Sequence, residues 1–263
     1  MLRFVFLILP YVLSDGFFAA STKTIEDPAD KGYGAIDLPH EGLERYQNMW
    51  RKSRAIWAYI YDNYVENFDY FYLSGDDTHL IVENLRRTLE NLRLNGSNPE
   101  QPLYLGHWIP DKNLGGYFAG GGPGYVLSRQ SVRILVEKVL PVCHVHTSDS
   151  AEDRILGECF RSVGITANHS VDELGAQKFH GMHPNFIASF NGESKPFFKA
   201  MYEFWGSLYG YKKGVDLASR HSISFHLLRS PEMLKRHHAI IYRSCPQGTA
   251  LGDFFGRNGD QFR

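Results

Sequence analysis

The sequence has no cluster of Lys and Arg, and its formal net charge is −1 over 263 residues. A nucleic-acid ligand is therefore not expected, because phosphate backbones are met by basic patches. No apolar run approaches the roughly 20 residues a bilayer-crossing helix requires. The longest, residues 2–13, is too short to span comfortably; it carries Arg3 near its start and gives way to Ser14-Asp15-Gly16. It reads as the apolar part of a secretory signal, a short anchor or a strand. Internal repeats, low-complexity segments and linker-like stretches are also lacking, so residues 15–245 are expected to form one domain. Residues 1–14 then stand as an apolar lead and residues 246–263 as an irregular tail. A chain of this length can bury one substantial core. Its 15 Tyr and 18 Phe suit a sugar-binding surface, although most of them are expected to fill that core.

The segment from residue 69 to residue 85 carries most of the chemistry. It reads Asp-Tyr-Phe-Tyr-Leu-Ser-Gly-Asp-Asp-Thr-His-Leu-Ile-Val-Glu-Asn-Leu: an apolar strand ending on two carboxylates, with an amphipathic helix directly after. Open α/β sheets bind ligands beyond the carboxyl ends of their strands, and Asp76 and Asp77 sit at such an end. Hard oxygen donors there suit Mg²⁺ or Mn²⁺ and a phosphorylated ligand. The plainer alternative is a solvated turn in which Asp77 or Thr78 caps the helix.

Other elements follow from periodicity. Tyr46, Trp50, Trp57, Ile60 and Tyr64 recur at helical spacing and predict one long amphipathic helix. Val82, Leu85, Leu89 and Leu92 predict a second, ended by Asn95-Gly96. Residues 103–108 read as a strand. Ser128 is placed to cap a helix striped by Val132, Leu135, Val136 and Val139. Glu152 and Asp153 open a helix over 151–163, where acidic side chains are favoured by the helix dipole whatever else they do. Pro231 stands at the first position of a last helix. The glycine-rich block Gly116-Tyr117-Phe118-Ala119-Gly120-Gly121-Gly122-Pro123-Gly124 allows close approach to the backbone. It is not a phosphate loop, since no Lys-Ser or Lys-Thr follows.

Three separated blocks resemble the core 1 β1,3-galactosyltransferases within the wider β1,3-glycosyltransferase group. They are Gly75-Asp76-Asp77-Thr78-His79 with Asn84-Leu85-Arg86, then Gly116 through Ser128, and then Glu152-Asp153 with Gly157 and Cys159, followed by Phe179-His180 and Ser224-Phe225-His226. Order and spacing agree from about residue 33 to about residue 243. The resemblance implies an α/β chain of the GT-A nucleotide-diphospho-sugar transferase type, three-layer α/β/α. Such relatives begin with a strand that grips uracil, whereas the likeness here begins near Gly16-Phe17-Phe18-Ala19-Ala20-Ser21. Residues 4–13 therefore either replace that strand or the strand is lacking.

The resemblance also assigns roles. Asp77 and His226 become the ligands of Mn²⁺ or Mg²⁺, Asp76 and Lys52 contact the donor, and Asp153 is the catalytic base with Glu152 as the fallback. Trp205 is the acceptor platform, in an aromatic group with Phe197, Phe198, Tyr202, Tyr209 and Tyr211, and Gly121 and Gly122 form the acceptor-side floor. The relatives carry cysteines at places matching Cys143 and Cys159, which implies a disulfide; two free thiols are the alternative, and Cys245 is left over. The implied activity is inverting transfer of galactose from UDP-galactose, in β1,3 linkage, to an O-linked N-acetylgalactosamine on a glycoprotein or glycan. The implied setting is the Golgi membrane or the lumen of the secretory pathway, with association through the amino terminus and pairing as a homodimer. The sequons Asn95-Gly96-Ser97 and Asn168-His169-Ser170 fit that setting. One departure stands out: the family's run of three aspartates begins here with Gly75. It favours the competing reading, a non-catalytic chaperone or sugar-binding module on the same scaffold. A hydrolase using Asp77 and Asp153 as its acid and base is a third possibility.

Overall fold

The computed structural model describes residues 4–9, 38, 40, 45–111, 115–193 and 196–244. Gly16 to Ser21, Cys245, the tail from Gly248 onward and the side chains of Phe197 and Phe198, all singled out in the sequence, lie outside what is described.

In chain order the elements are β1 (Phe4–Leu9), α1 (Met49–Tyr64), β2 (Tyr70–Gly75), β3 (His79–Leu80), α2 (Val82–Leu94), β4 (Tyr104–Gly106), β5 (Trp108–Asp111), β6 (Gly116–Ala119) and β7 (Tyr125–Ser128). There follow α3 (Arg129–Ile134), α4 (Glu152–Ser162), β8 (Asn168–His169), β9 (Phe179–His180), α5 (Pro184–Ser189), α6 (Pro196–Tyr209), β10 (Ser224–Phe225) and α7 (Pro231–Ser244). The main sheet has the order β1-β2-β7-β4-β8. β1 runs parallel to β2 along its whole length, from Phe4 opposite Tyr70 to Leu9 opposite Gly75, so a strand does precede α1 in this sheet. β7 is antiparallel to both its neighbours, and β8 is parallel to β4. A small sheet β3-β10-β9 and the hairpin β5-β6 lie beside it.

The strand period of two divides the core between the two faces. Phe71 and Leu73 of β2, with Tyr125 and Leu127 of β7, pack against Trp50, Trp57 and Ile60 of α1 and Leu156 and Phe160 of α4. Tyr70 and Tyr72, with Val126, point the other way onto Leu85 and Leu89 of α2. The chain is thus mixed α/β with helices on both faces of the main sheet. The spacing of Trp50, Trp57 and Ile60 on α1 explains why all three are sealed from solvent, whereas Tyr46, one turn earlier in a short 3₁₀ segment, stays half exposed. Ser128 caps α3 as expected, accepting the Ser131 N–H at 3.2 Å.

Three expectations need correction. The helix after the acidic turn does not begin at once: β3 intervenes because His79 and Leu80 pair with β10, and the residue at the start of α2 is Ile81, without a side-chain cap. The strand expected over residues 103–108 breaks at His107, since β4 belongs to the main sheet while β5 leaves to pair with β6. The helix striped by Val132 to Val139 passes into a π-helical turn at Leu135–Val139. β10 is only two residues long, and His226 lies just past its end.

Cys143 and Cys159 form a disulfide with Cα atoms 5.9 Å apart. Cys159 lies in the core on α4, and the carbonyl of His144 beside the other half-cystine accepts the Trp50 indole N–H at 2.9 Å. The bridge therefore ties α4 to the entry of α1. Among the described residues no helix is long and apolar enough to cross a membrane. Replacing both Cys143 and Cys159 by Ser is expected to lower the unfolding free energy by about 3 kcal/mol, the loop-entropy value for a bridge of this span. Urea unfolding in non-reducing buffer measures it, and an unchanged midpoint would remove the bridge from the forces that fix α4.

Candidate active site

Strand pairing brings the candidate residues to one edge of the sheet. Leu73 lies opposite Tyr125 across the antiparallel β2–β7 pair, so the acidic turn that follows β2 faces the glycine-rich loop that precedes β7. Three hydrogen bonds fix that meeting: Thr78 Oγ1 donates to the Gly122 carbonyl at 2.6 Å, and Tyr72 Oη and Ser224 Oγ donate to the Pro123 carbonyl at 2.8 and 2.6 Å. Gly124, with φ +83°, leaves room for the Tyr72 ring, whose atoms would lie 2.4 Å from an added Cβ.

The β3–β10 pair does the same for His226. Phe225 is opposite His79, so the residue after β10 returns alongside Asp77, and the Leu228 N–H donates to the Asp77 carbonyl at 2.9 Å. His226 Nε2 and Asp77 Oδ1 stand 3.0 Å apart, close enough for an ion pair but outside hydrogen-bond alignment. Leu227 takes φ +64°, a conformation that costs a bulky residue energy and that surrounding contacts must enforce. The His226 N–H bond to the His180 carbonyl and the Leu228 bond to Asp77 bracket it.

Glu152 and Asp153 form the first turn of α4, as the sequence suggests. Asp153 Oδ2 accepts the Gly121 N–H at 2.7 Å, and its Oδ1 accepts the Arg154 N–H at 2.8 Å. Burial pushes the Asp153 carboxyl above its usual range, against the lowering effect of those N–H donors. Glu152 is more deeply enclosed. Its Oε2 meets Ser53 Oγ at 3.4 Å and Tyr125 Oη at 3.3 Å, and burial followed by the neighbouring Asp153 charge raises its pKa to about 8.

Gly121, Gly122, Glu152, Asp153, Trp205 and His226 line a single cavity of about 490 Å³, a volume typical of small-ligand sites. Its opposite wall, with Met182, Phe186, Phe190 and Tyr202, is apolar. Trp205 is held there by its indole N–H, which donates to the Trp108 carbonyl at 3.1 Å, and by an edge contact with His107 at 4.6 Å between centroids. Asp77 reaches this cavity through His226 rather than lining it, and Lys52 and Asp76 are not on its wall. Lys52 is buried on α1 and is not a surface lysine. Gly75 does line the cavity, and a Cβ there would come within 3.1 Å of Asp77 Oδ1, so a larger residue would press on that carboxylate.

Sequence reasoning missed the hydroxyl partners of Glu152 and the buried His107 of the wall, and it marked His180 within the Phe179-His180 block without giving it a role. Ser53 was within reach, being three residues from Trp50 and four from Trp57 on the same helix face. His107 and His180 carry no spacing signal. Burial holds both in the neutral form, with pKa values lowered to about 4 and about 3.

No protein-family model matches the chain. Curated relatives do. A glycoprotein-N-acetylgalactosamine 3-beta-galactosyltransferase 1 of Xenopus laevis is 32% identical over 221 residues, which is 83% of this chain and 57% of the relative. Over most of its length the chain is similar to the glycoprotein-N-acetylgalactosamine 3-beta-galactosyltransferases. More distant members of the group match too: a human beta-1,3-glucosyltransferase is 27% identical over 161 residues, covering 59% of this chain and 28% of the relative. Human chondroitin sulfate synthase 3 is 29% identical over 157 residues, covering 54% of this chain and 17% of the relative. The chain spans little more than half the length of the Xenopus relative. The likeness read from the three sequence blocks is therefore borne out at the level of the family.

The buried imidazoles give a pH signature. Their folded pKa values lie below the 6.5 of an ordinary histidine, so the unfolded chain binds more protons than the folded one between these values. The stability they allow is whole above about pH 6.5 and is lost as pH falls toward about 4. Thermal melts between pH 7.5 and 4.5 are expected to show a falling midpoint, and His107→Gln is expected to flatten the fall. Parallel melting profiles for the parent and His107→Gln across this range would contradict neutral burial.

Proposed function

We propose that the protein is an inverting, metal-dependent glycosyltransferase of the GT-A type, moving galactose from UDP-galactose in β1,3 linkage to N-acetylgalactosamine O-linked to a glycoprotein. The observation that carries this reading is the convergence of Asp153, Gly121, Trp205 and His226, with Asp77 behind it, on one cavity in a chain similar to this family. The donor and linkage come from the Xenopus relative's family.

In this reading Asp153 takes the proton of the acceptor hydroxyl as that oxygen attacks the anomeric carbon from the face opposite the diphosphate. Its orientation is set by the Gly121 N–H. Trp205 offers its ring to the apolar face of the acceptor sugar, Gly121 and Gly122 let that sugar approach the backbone, and Asp76 turns toward the donor's ribose or sugar. Lys52, buried on α1, keeps its assigned place on the donor side with Asp76.

Asp77 and His226 would hold the cation. Their separation of 3.0 Å would let both reach one divalent cation, and the buried Asp77 Oδ1 has no hydrogen-bond partner among the described residues. When bound, the cation supplies charge neutralisation to the departing UDP. The disulfide fits an oxidising compartment, in line with residence in the secretory pathway and a glycoprotein acceptor met there. The non-catalytic module remains the competing reading because of Gly75.

A donor screen by UDP release, with Mn²⁺ or chelator and with or without acceptor glycoside, tests the proposal. Asp153→Asn is expected to lower turnover by about 10²-fold or more while keeping UDP binding. Asp77→Ala is expected to abolish the Mn²⁺-dependent part of the thermal shift given by UDP. Full turnover by Asp77→Ala would refute the metal assignment, indifference to UDP and Mn²⁺ would favour the module, and UDP release independent of acceptor would favour a hydrolase.

A further inference from the structure

We propose that Glu152 is a positioning residue: it lies beneath the glycine-rich loop as an uncharged carboxylic acid and leaves Asp153 as the one ionised carboxylate of the pair. The catalytic half of this inference rests on the function proposed above; the protonation half does not.

The two neighbours are solvated by different chemistry. Asp153 receives the N–H groups of Gly121 and Arg154 at 2.7 and 2.8 Å. An N–H can only donate, so it stabilises the anion. Glu152 is 5% exposed, and its Oε2 has only the longer contacts to Ser53 Oγ and Tyr125 Oη. Both hydroxyls donate to Oε2 and so favour the anion, but burial and the neighbouring Asp153 charge act more strongly the other way. Tyr125 Oη is itself met by the Trp57 indole N–H at 3.4 Å.

The charged and titratable groups facing Glu152 are few. α1 presents Ser53, with buried Lys52 one residue before it; β4 presents Tyr104; β7 presents Tyr125; α4 presents Asp153. Both tyrosines are kept protonated by burial. The influences on the Glu152 proton are burial, the Asp153 charge and the two hydroxyls, and no cation stands among them. When two adjacent acids share a site that cannot hold both charges, the proton goes to the one with the poorer anion environment.

The loop supplies the link to Asp153. A Cβ on Gly121 would fall 2.3 Å from Glu152 Oε1 and 3.2 Å from the Asp153 Cβ. The Glu152 carboxyl therefore packs against the very residue whose N–H orients Asp153. Ionising it would set a second negative charge against that loop and beside the diphosphate, displacing Asp153 and weakening donor binding.

Glu152→Gln keeps the shape and removes the charge. At pH 7 it is expected to hold kcat within about threefold of the parent, and it should abolish the loss of turnover expected of the parent as pH passes about 8. Glu152→Ala, which empties the space under the loop, is expected to lower kcat without restoring activity at high pH. Melting curves give a readout that needs no activity. The folded pKa of Glu152 lies above its ordinary value of 4.5, so its stabilising contribution is whole below about 4.5 and falls away as pH rises to about 8. The melting temperature of Glu152→Gln relative to the parent should rise steadily across that window. Parallel melting profiles from pH 5 to 8 would overturn the inference, as would a loss of about 100-fold in kcat for Glu152→Gln at pH 7 with KM unchanged. Should no variant transfer sugar at all, the melting profiles still decide the protonation state, and the failure belongs to the proposed function.

Discussion

Two carboxylates leave water together at the start of α4, and the structure around them is organised by that requirement. A buried charge without compensation costs more than most other contacts in a domain return. Here a backbone N–H from the glycine-rich loop compensates Asp153, while burial keeps the proton on Glu152, which is met by hydroxyls from α1 and β7. The loop can come that near because its glycines carry no side chain. Its position in turn follows from the antiparallel β2–β7 register, which sets it against the acidic turn. The disulfide and the hydrogen bond from Trp50 then hold α4 and α1 in mutual register behind the site.

The Asp77–His226 contact depends on a different and much slighter device. The strands β3 and β10 are two residues each, and their pairing decides whether the imidazole reaches the carboxylate. The left-handed backbone at Leu227 lies immediately after His226, which suggests that the local geometry is imposed by the contacts on either side rather than chosen by the residue. The two halves of the site thus differ in kind: one is anchored in the main sheet and its core, the other in a short outlying sheet whose stability comes from packing with α7 and α5.

Much of the fold is legible in the residues because periodicity is a local property. The Trp50–Trp57–Ile60 stripe, the Ser128 cap, the carboxylates opening α4 and Pro231 at the head of α7 each report on their own element. The breaks are not local. Nothing in the residues around His107 says that β4 and β5 join different sheets, and the π-helical turn at Leu135–Val139 keeps the same apolar stripe as the helix expected there. For the site, Asp77, Asp153 and His226 were visible as residue types in motifs. What surrounds them was not, because Ser53 and Tyr125 meet Glu152 across two elements distant in sequence. The burial of Lys52 likewise depends on what packs over α1, which no single helix can reveal.

The tether on Asp153 is made of main chain. Side-chain exchange at position 121 leaves the amide hydrogen where it is, so among single substitutions proline alone deletes the donor outright. Every other replacement acts by bulk, driving a β-carbon into the neighbouring acid. Position 121 is therefore barred on two unrelated grounds, one to the imino acid and one to everything larger than hydrogen, and a survey of all nineteen exchanges there would separate loss of the tether from simple crowding.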